Sequence, residues 1–322
     1  MELNRRTLLA TASAAGAAAA IGMPALTPAA FAQTAQAGKQ APSFYRYKIG
    51  SFEVTAVSDG SNSFKLADNF VRNANRDEVN AALRAAFLPT DQLTNQYTPV
   101  VVNTGSKLIA IDTGRGPSGE YLANLSAAGI DPKAISTVII SHFHGDHIGG
   151  LRDKDQNLVF ANAEVMVPAT EWAHWMDDAK MNAAPEAARG AWQNVRRIFG
   201  SIASKVTRFD ADKEIAPGIK SIATPGHTPG HTSFDIVSGD GRLVYQADAS
   251  IMPYFFVRNP GWHVMFDSDP QQAETTRRKL YEMVAADRSL ITGYHWPFPA
   301  AGHIEKDGNG YRLHPSVWVP TL

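Results

Sequence analysis

A layered α/β fold is what this chain predicts, on three observations. Strand-like runs alternate with helical patterns along its length, the share of apolar residues is that of a protein with a buried core, and neither a linker nor a short internal repeat interrupts the succession after about Pro42. The first strand-like runs are Tyr45–Ile49, Phe52–Ser58, Pro99–Asn103, Lys107–Ile111, Thr137–Ile140 and Glu164–Val167. A second set follows at Ile219–Ala223, Ser233–Val237 and Leu243–Gln246, with a short run at Leu290–Ile291. Helical periodicity lies between them: Val79, Leu83 and Phe87 recur at four-residue spacing in Arg76–Phe87, and Ser118–Ala128 stops at Gly129. Pro168–Lys180, Pro185–Ser204 and Pro270–Ala286 complete the helices. A meander of strands followed by helix occurs before Leu151 and again after Lys205, so residues 43–322 read as one domain of two α/β halves. Residues 168–204 stand between the halves and carry Trp172, Trp175, Trp192 and Phe199, either as a cap over a site or as packing on the sheet.

Composition closes off several functions. The 322 residues are 44% hydrophobic and 19% charged, with a formal net charge of −1 and no basic run, so nucleic acid finds no electrostatic footprint. Cysteine is absent, which removes disulfides, thiolate nucleophiles, iron–sulfur clusters and every cysteine-containing zinc site. Any metal must therefore take nitrogen and oxygen ligands.

Residues 1–32 read as an export signal. Arg5-Arg6 precedes a small apolar run from Thr7 to Ile21, and Ala30-Phe31-Ala32 offers a cleavage site, so a mature chain would begin near Gln33 in the periplasm or outside the cell. The Asn4-Arg5-Arg6-Thr7-Leu8-Leu9 segment resembles a twin-arginine signal. The run is Ala/Gly-dominated, broken by Pro24 and shorter than the ~20 apolar residues a spanning helix needs, which argues against a membrane anchor. Residues 33–42 are small and polar, as in a flexible tether.

The chemistry concentrates in Thr137-Val-Ile-Ile-Ser-His142-Phe-His144-Gly-Asp146-His147. Apolar strand residues lead to His142 and His144, whose two-residue spacing turns both imidazoles to one side. Gly145 lets the chain turn, bringing Asp146 and His147 round at the start of a helix to face a neighbouring ion. Three histidines and an aspartate in six residues after a buried strand have metal-ligand spacing rather than the scatter of a solvated loop. Further on, His227 sits in a Gly/Pro-rigid turn, Asp248 follows a strand with two oxygens able to bridge two ions, and His295 follows another strand end. His231, at the start of the next strand, reads as a residue that orients ligands by hydrogen bonding.

His142-x-His144-x-Asp146-His147, then His227, Asp248 and His295 in that order, resembles the metallo-β-lactamase superfamily, and Ile111-Asp112-Thr113-Gly114 resembles its early strand-end motif. The resemblance implies an αββα sandwich of two mixed sheets with two divalent metal ions at one edge, zinc foremost and manganese, iron or cobalt compatible with the same ligands. It implies His142, His144 and His227 on the first ion, Asp146, His147 and His295 on the second, Asp248 bridging them, and Asp112 bracing the loop beneath. Within the family the later spacings and the tail His295-Trp-Pro-Phe-Pro-Ala-Ala-Gly302-His303-Ile304 look like methyl parathion hydrolase and its aryl-esterase and lactonase relatives. One departure is visible: where the acyl-homoserine lactonase branch carries a tyrosine three residues after the bridging aspartate, this chain has Ile251.

The implied chemistry is hydrolysis. Two divalent ions sharing Asp248 would share a water whose pKa falls from ~15.7 towards ~7, giving a bridging hydroxide at neutral pH, with Asp146 as a further proton relay. Trp172, Trp175, Ile251 and Phe266 are the candidate substrate wall, an apolar one. Such a wall suits a small neutral hydrophobic ester over any polyanion, and the resemblance favours an organophosphate triester or aryl ester, with an acyl-homoserine or aryl lactone as the alternative. The same aromatics could equally fill the core. Two rivals stand beside this reading: a mononuclear iron oxygenase on the same fold, and a non-enzymatic metal- or solute-binding protein. Seven retained ligand candidates argue against the first, and the open coordination of a hydrolytic site argues against the second.

Overall fold

The structure is a computed structural model that describes residues 43–322 continuously, together with a few isolated positions between 36 and 41. The proposed export signal at 1–32 and most of the 33–42 segment lie outside the described residues. Ala41–Leu322 forms one compact unit. No helix among the described residues is long and apolar enough to cross a membrane.

In chain order the first half comprises β1 (Phe44–Ile49), β2 (Phe52–Val57), β3 (Ser61–Lys65), α1 (Arg76–Ala85), β4 (Gln92–Gln96), β5 (Val100–Asn103), β6 (Leu108–Ile111), α2 (Tyr121–Ala127), β7 (Thr137–Ile139), α3 (Gly145–Ile148) and β8 (Glu164–Pro168). The chain then runs through α4 (Ala169–Trp175), α5 (Asp178–Ala183), α6 (Glu186–Phe199) and β9 (Thr207–Phe209). The second half holds β10 (Glu214–Ala216), β11 (Ile219–Ala223), β12 (Thr232–Ser238), β13 (Gly241–Tyr245), α7 (Pro253–Phe256), α8 (Pro270–Ala286), β14 (Leu290–Thr292), β15 (Ala301–Asp307) and β16 (Gly310–Pro315).

Two seven-stranded mixed sheets result, ordered β1-β2-β5-β6-β7-β8-β9 and β10-β11-β12-β13-β14-β15-β16, with β3 and β4 as a separate hairpin. The sheets stack because their strands alternate faces. Ile109 and Ile111 of β6 and Ile139 of β7 join Phe234, Leu243 and Tyr245 of the second sheet in one core, while Ala110 and Val138 turn the other way towards α2, α4 and α6. On the second sheet Val244 and Ile291 face Leu280, Tyr281 and Val284 of α8. Helices therefore cover both outer faces, which is the αββα sandwich the sequence implies.

The structure amends several sequence expectations. Pro168–Lys180 is two helices, because Asp177 accepts the Lys180 N–H as the cap of a new one. The hairpin of β3 and β4 has no apolar alternation to announce it: Ser-Asn-Ser-Phe-Lys pairs with Gln-Leu-Thr-Asn-Gln. The tail after His295 forms a second unexpected hairpin, β15 against β16. Gly145 opens α3 without a left-handed backbone, so its turn does not need glycine's freedom. The 168–204 stretch packs on the first sheet, with Trp172, Trp192, Val195, Ile198 and Phe199 in the core shared with β7 and β8.

Candidate metal centre

All seven ligand candidates converge at one edge of the sandwich. His142 follows the C-terminal end of β7, Asp146 and His147 lie on α3, His227 is in the turn between β11 and β12, Asp248 follows β13 and His295 follows β14. The ligand-bearing ends of β7, β13 and β14 are thus carboxyl ends of strands in parallel pairs, where open α/β sheets place their ligands.

Two groups of donor atoms form. His142, His144, His227 and Asp248 make one, Asp146, His147 and His295 the other, and within each the ligand atoms lie within 4.8 Å of one another. In the first, His144 Nδ1 is 3.2 Å from His142 Nε2 and 2.9 Å from His227 Nε2. In the second, His295 Nε2 is 3.3 Å and His147 Nε2 3.7 Å from the Asp146 carboxylate. Asp248 spans both: Oδ2 is 3.4 Å from His227 Nε2 and 3.1 Å from His295 Nε2, while Oδ1 is 3.4 Å from His147 Nε2.

The far side of each ring explains why the near side is free. His147 Nδ1–H donates to Asp112 Oδ2 at 2.8 Å, His227 Nδ1–H to Asp267 Oδ1 at 2.9 Å and His295 Nδ1–H to the Gln96 carbonyl at 2.7 Å. The Ser141 hydroxyl donates to Asp112 Oδ2 and so accepts from His142 Nδ1 at 3.0 Å. Each of these four rings is anchored through its outer nitrogen, which leaves Nε2 facing into the site, as metal-ligating histidines are. Buried His147 Nε2 and Asp248 Oδ1 find no hydrogen-bond partner, and buried polar atoms without partners are costly unless something else binds them. This set of nitrogen and carboxylate donors fits two divalent cations.

The carboxylates and the buried rings divide the site electrostatically. Burial, then the neighbouring imidazoles, push His142 down and His144 down to about 3, keeping them neutral and able to ligate. Burial works against protonation of His227, His295 and His147 as well, but the carboxylates prevail, Asp248 with Asp267 and Asp248 with Asp146 lifting the first two to about 9 and Asp248 with Asp112 raising His147, so a cation must displace a proton from these three rings near neutral pH. Asp146 and Asp248 are held below the usual carboxylate range; burial opposes this, and the imidazoles around them prevail.

Asp112 braces the loop, as the resemblance implies: it sits in a left-handed backbone at φ 61° and accepts from the Ser141 N–H, the Tyr245 hydroxyl and His147. His231 lies outside both groups. Its Nε2 accepts the Asp248 N–H at 3.0 Å while Nδ1–H donates to the Thr224 carbonyl, and burial, then His227, holds it neutral at about 3, so it can accept.

The substrate-wall candidates separate. Trp175 is close to the site, its ring edge-on to His144 with centroids 6.4 Å apart. Phe266 is 47% exposed and edge-on to Phe70. Trp175 is also packed against Trp192 in the core of the first sheet, and Trp172 and Ile251 are likewise built into the packing: Trp172 lies among Phe143, Phe199 and the Arg208 guanidinium, and Ile251 among Phe70, Leu83 and Phe255. Sequence reasoning also missed Asp267, Gln96, Glu171 and Tyr294, whose ring lies 3.8 Å from that of His147 and whose hydroxyl donates to the Asp146 carbonyl. Tyr294 adjoins His295 and could have been singled out by position; the others are far in sequence from the ligands they serve.

Comparison with known proteins converges on one family. The metallo-β-lactamase superfamily model matches residues 94–295. The N-acyl homoserine lactonase AiiA of Bacillus thuringiensis subsp. kurstaki is 27% identical over 217 residues, 62% of this chain and 77% of that protein. Among solved structures, the dizinc quorum-quenching lactonase AidC is 28% identical with a TM-score of 0.81, covering 86% of this chain and 98% of its own. The hydrolase AbOPH is 26% identical with a TM-score of 0.81, covering 87% and 100%. Family match, fold and donor set agree: the chain belongs to the metallo-β-lactamase superfamily.

Proposed function

We propose that this chain is a dinuclear metal-dependent hydrolase of neutral hydrophobic esters, with lactones as its leading substrate class. One observation carries the reading: Asp248 stands between two converging donor groups, and its Oδ1 and His147 Nε2, 3.4 Å apart, are both buried without a hydrogen-bond partner. Two bound cations supply Lewis acidity and a water acidic enough to act as a nucleophile near neutral pH. His142, His144 and His227 would hold one and Asp146, His147 and His295 the other. Zinc is the metal we propose, since AidC is a dizinc enzyme and the donors suit it.

The protein's own part is alignment. His231 fixes the main chain of Asp248, Asp267 fixes the ring of His227, and Asp112 fixes that of His147. Asp146 is the partly exposed carboxylate of the donor set, which places it for a proton relay to solvent, while the neighbouring imidazoles keep it ionised for a cation. Trp175 and Phe266 offer apolar contact to an acyl or aryl group. Lactones stand ahead of the aryl esters and phosphotriesters suggested by the tail motif because AiiA and AidC are both lactonases. Ile251, in place of the tyrosine of the lactonase branch, is buried and supplies no hydroxyl. Lactone opening here would proceed without that group. The Arg5-Arg6 segment and the Ala30-Phe31-Ala32 site support export to the periplasm.

The test is metal content measured alongside a panel of N-acyl homoserine lactones, aryl esters and phosphotriesters. Two metal equivalents and chelator-sensitive hydrolysis, fastest on lactones, are expected. Hydrolysis of none of them at full metal loading would overturn the reading, and a single iron with oxygen consumption would replace it with the oxygenase.

A further inference from the structure

We propose that Glu171 is a positioning residue that sets the distance between the two loops carrying His142, His144 and His227, and so sets metal affinity at that half of the site. The inference rests on the metal-binding reading above. Glu171 is fully buried at the start of α4, in the stretch first considered a cap. Its carboxylate accepts from three N–H donors. Oε1 takes the Phe143 N–H at 3.0 Å and the Trp175 Nε1–H at 2.7 Å; Oε2 takes the Gly230 N–H at 2.8 Å.

The identity of those donors gives the arrangement its meaning. Phe143 lies between His142 and His144 at the end of the first sheet, and Gly230 lies between His227 and His231 at the end of the second. One carboxylate therefore joins the ligand loops of both sheets through their main chains, where the distance between loops is the distance between ligands. Its third bond holds Trp175, the indole beside His144. The close approach is built in: a Cβ on Gly230 would lie 2.2 Å from the Glu171 nitrogen, so only glycine lets α4 come near enough for the bond.

An ionised carboxylate is acceptor-only, which suits three converging N–H donors. Glutamine of the same size would turn an amide N–H₂ towards one of the main-chain N–H groups, leaving a buried donor facing a donor. Loss of a buried acid kept only for the fold would lower stability of the metal-free and metal-loaded protein alike. A positioning acid makes a further difference, because residues that orient ligands typically change metal affinity by about 10–100-fold.

The experiment titrates the metal-free full chain with Co²⁺ and follows both the visible absorption and the rise in melting temperature. Wild type should take two equivalents. Glu171→Gln should weaken one of them by at least 10-fold, alter the absorption of that equivalent and shrink the metal-induced rise in melting temperature. Wild-type affinity and spectrum in Glu171→Gln, with both forms merely melting earlier, would overturn the proposal. If Glu171→Gln does not accumulate folded, Glu171→Asp keeps the charge and shortens the reach. A 10-fold weaker site there supports the proposal, and wild-type affinity overturns it. Wild type that takes up no Co²⁺ would sink the metal reading itself, a distinct outcome.

Discussion

At the base of the site, His142, His147, His227 and His295 each present one nitrogen to the centre and anchor the other on a fixed oxygen. At the proposed rim, Trp175 is held by one hydrogen bond and by packing on Trp192, and Phe266 by a single edge-on aromatic contact. The base is specified by directional bonds, which tolerate no change of atom type. The rim is specified by packing, which tolerates change of shape. The difference teaches where to look for chemistry and where for substrate choice: alterations at the base should act on metal and turnover, alterations at the rim on substrate affinity.

The sharpest way to break that division is at Asp248. Asp248→Asn keeps the shape but removes the charge between the two donor groups, and should lower kcat about 100–1,000-fold, the scale of losing a transition-state electrostatic contact, together with metal content. Retained turnover and two metals would dissolve the distinction.

Trp172 probes the opposite extreme, a residue near the site with no part in it. Trp172→Ala should cost about 3–5 kcal/mol of stability by calorimetry or denaturant titration, with metal stoichiometry unchanged. Asp267→Ala should come next: it frees the His227 Nδ1–H, and chelator competition should show metal affinity weakened by about 10–100-fold with little change in fold.

The base has a pH signature once metal is removed. His227 and His295 are raised to about 9 in the folded chain against about 6.5 unfolded, so their contribution is complete below pH ~6.5 and is lost as pH rises through ~9. His144 and His231, lowered to about 3, act oppositely below pH ~6.5, where the unfolded chain binds protons that the folded chain does not. The metal-free protein should therefore melt highest near pH 6.5 and several degrees lower by pH 9, a profile that metal flattens. The smallest effect belongs to the rim: Phe266→Ala should raise KM for long-chain lactones or aryl esters a few-fold, with stability within about 0.5 kcal/mol, because the ring is half in solvent.

How far the sequence carried the reading follows the same division. His142, His144, Asp146 and His147 are contiguous and lie at a strand end, so spacing alone marked them; His227, Asp248 and His295 needed the order of the family to become a set. The anchors stayed hidden. Asp267 and Glu171 are ordinary acids in amphipathic surroundings, and only the fold brings them to His227 and to Phe143 and Gly230. The hairpin of β3 and β4 was missed because Phe64 and Leu93 are the only apolar residues in its two strands, too few to make an alternation. Trp172 and Trp175 share one short helix, and local periodicity could not tell which would meet Phe199 and which His144.

The division of ligands between the sheets makes metal retention a record of tertiary assembly. The first sheet and its helix supply His142, His144, Asp146 and His147; the second supplies His227, Asp248 and His295. Neither half carries a complete donor group, since His227 and Asp248 finish the first and His295 the second. Two fragments made by cutting between α5 and α6 would each lack the means to hold the pair of cations, and would recover it only by reassociating. The bound metals would then serve as the complementation signal for the whole sandwich, as well as its catalytic equipment.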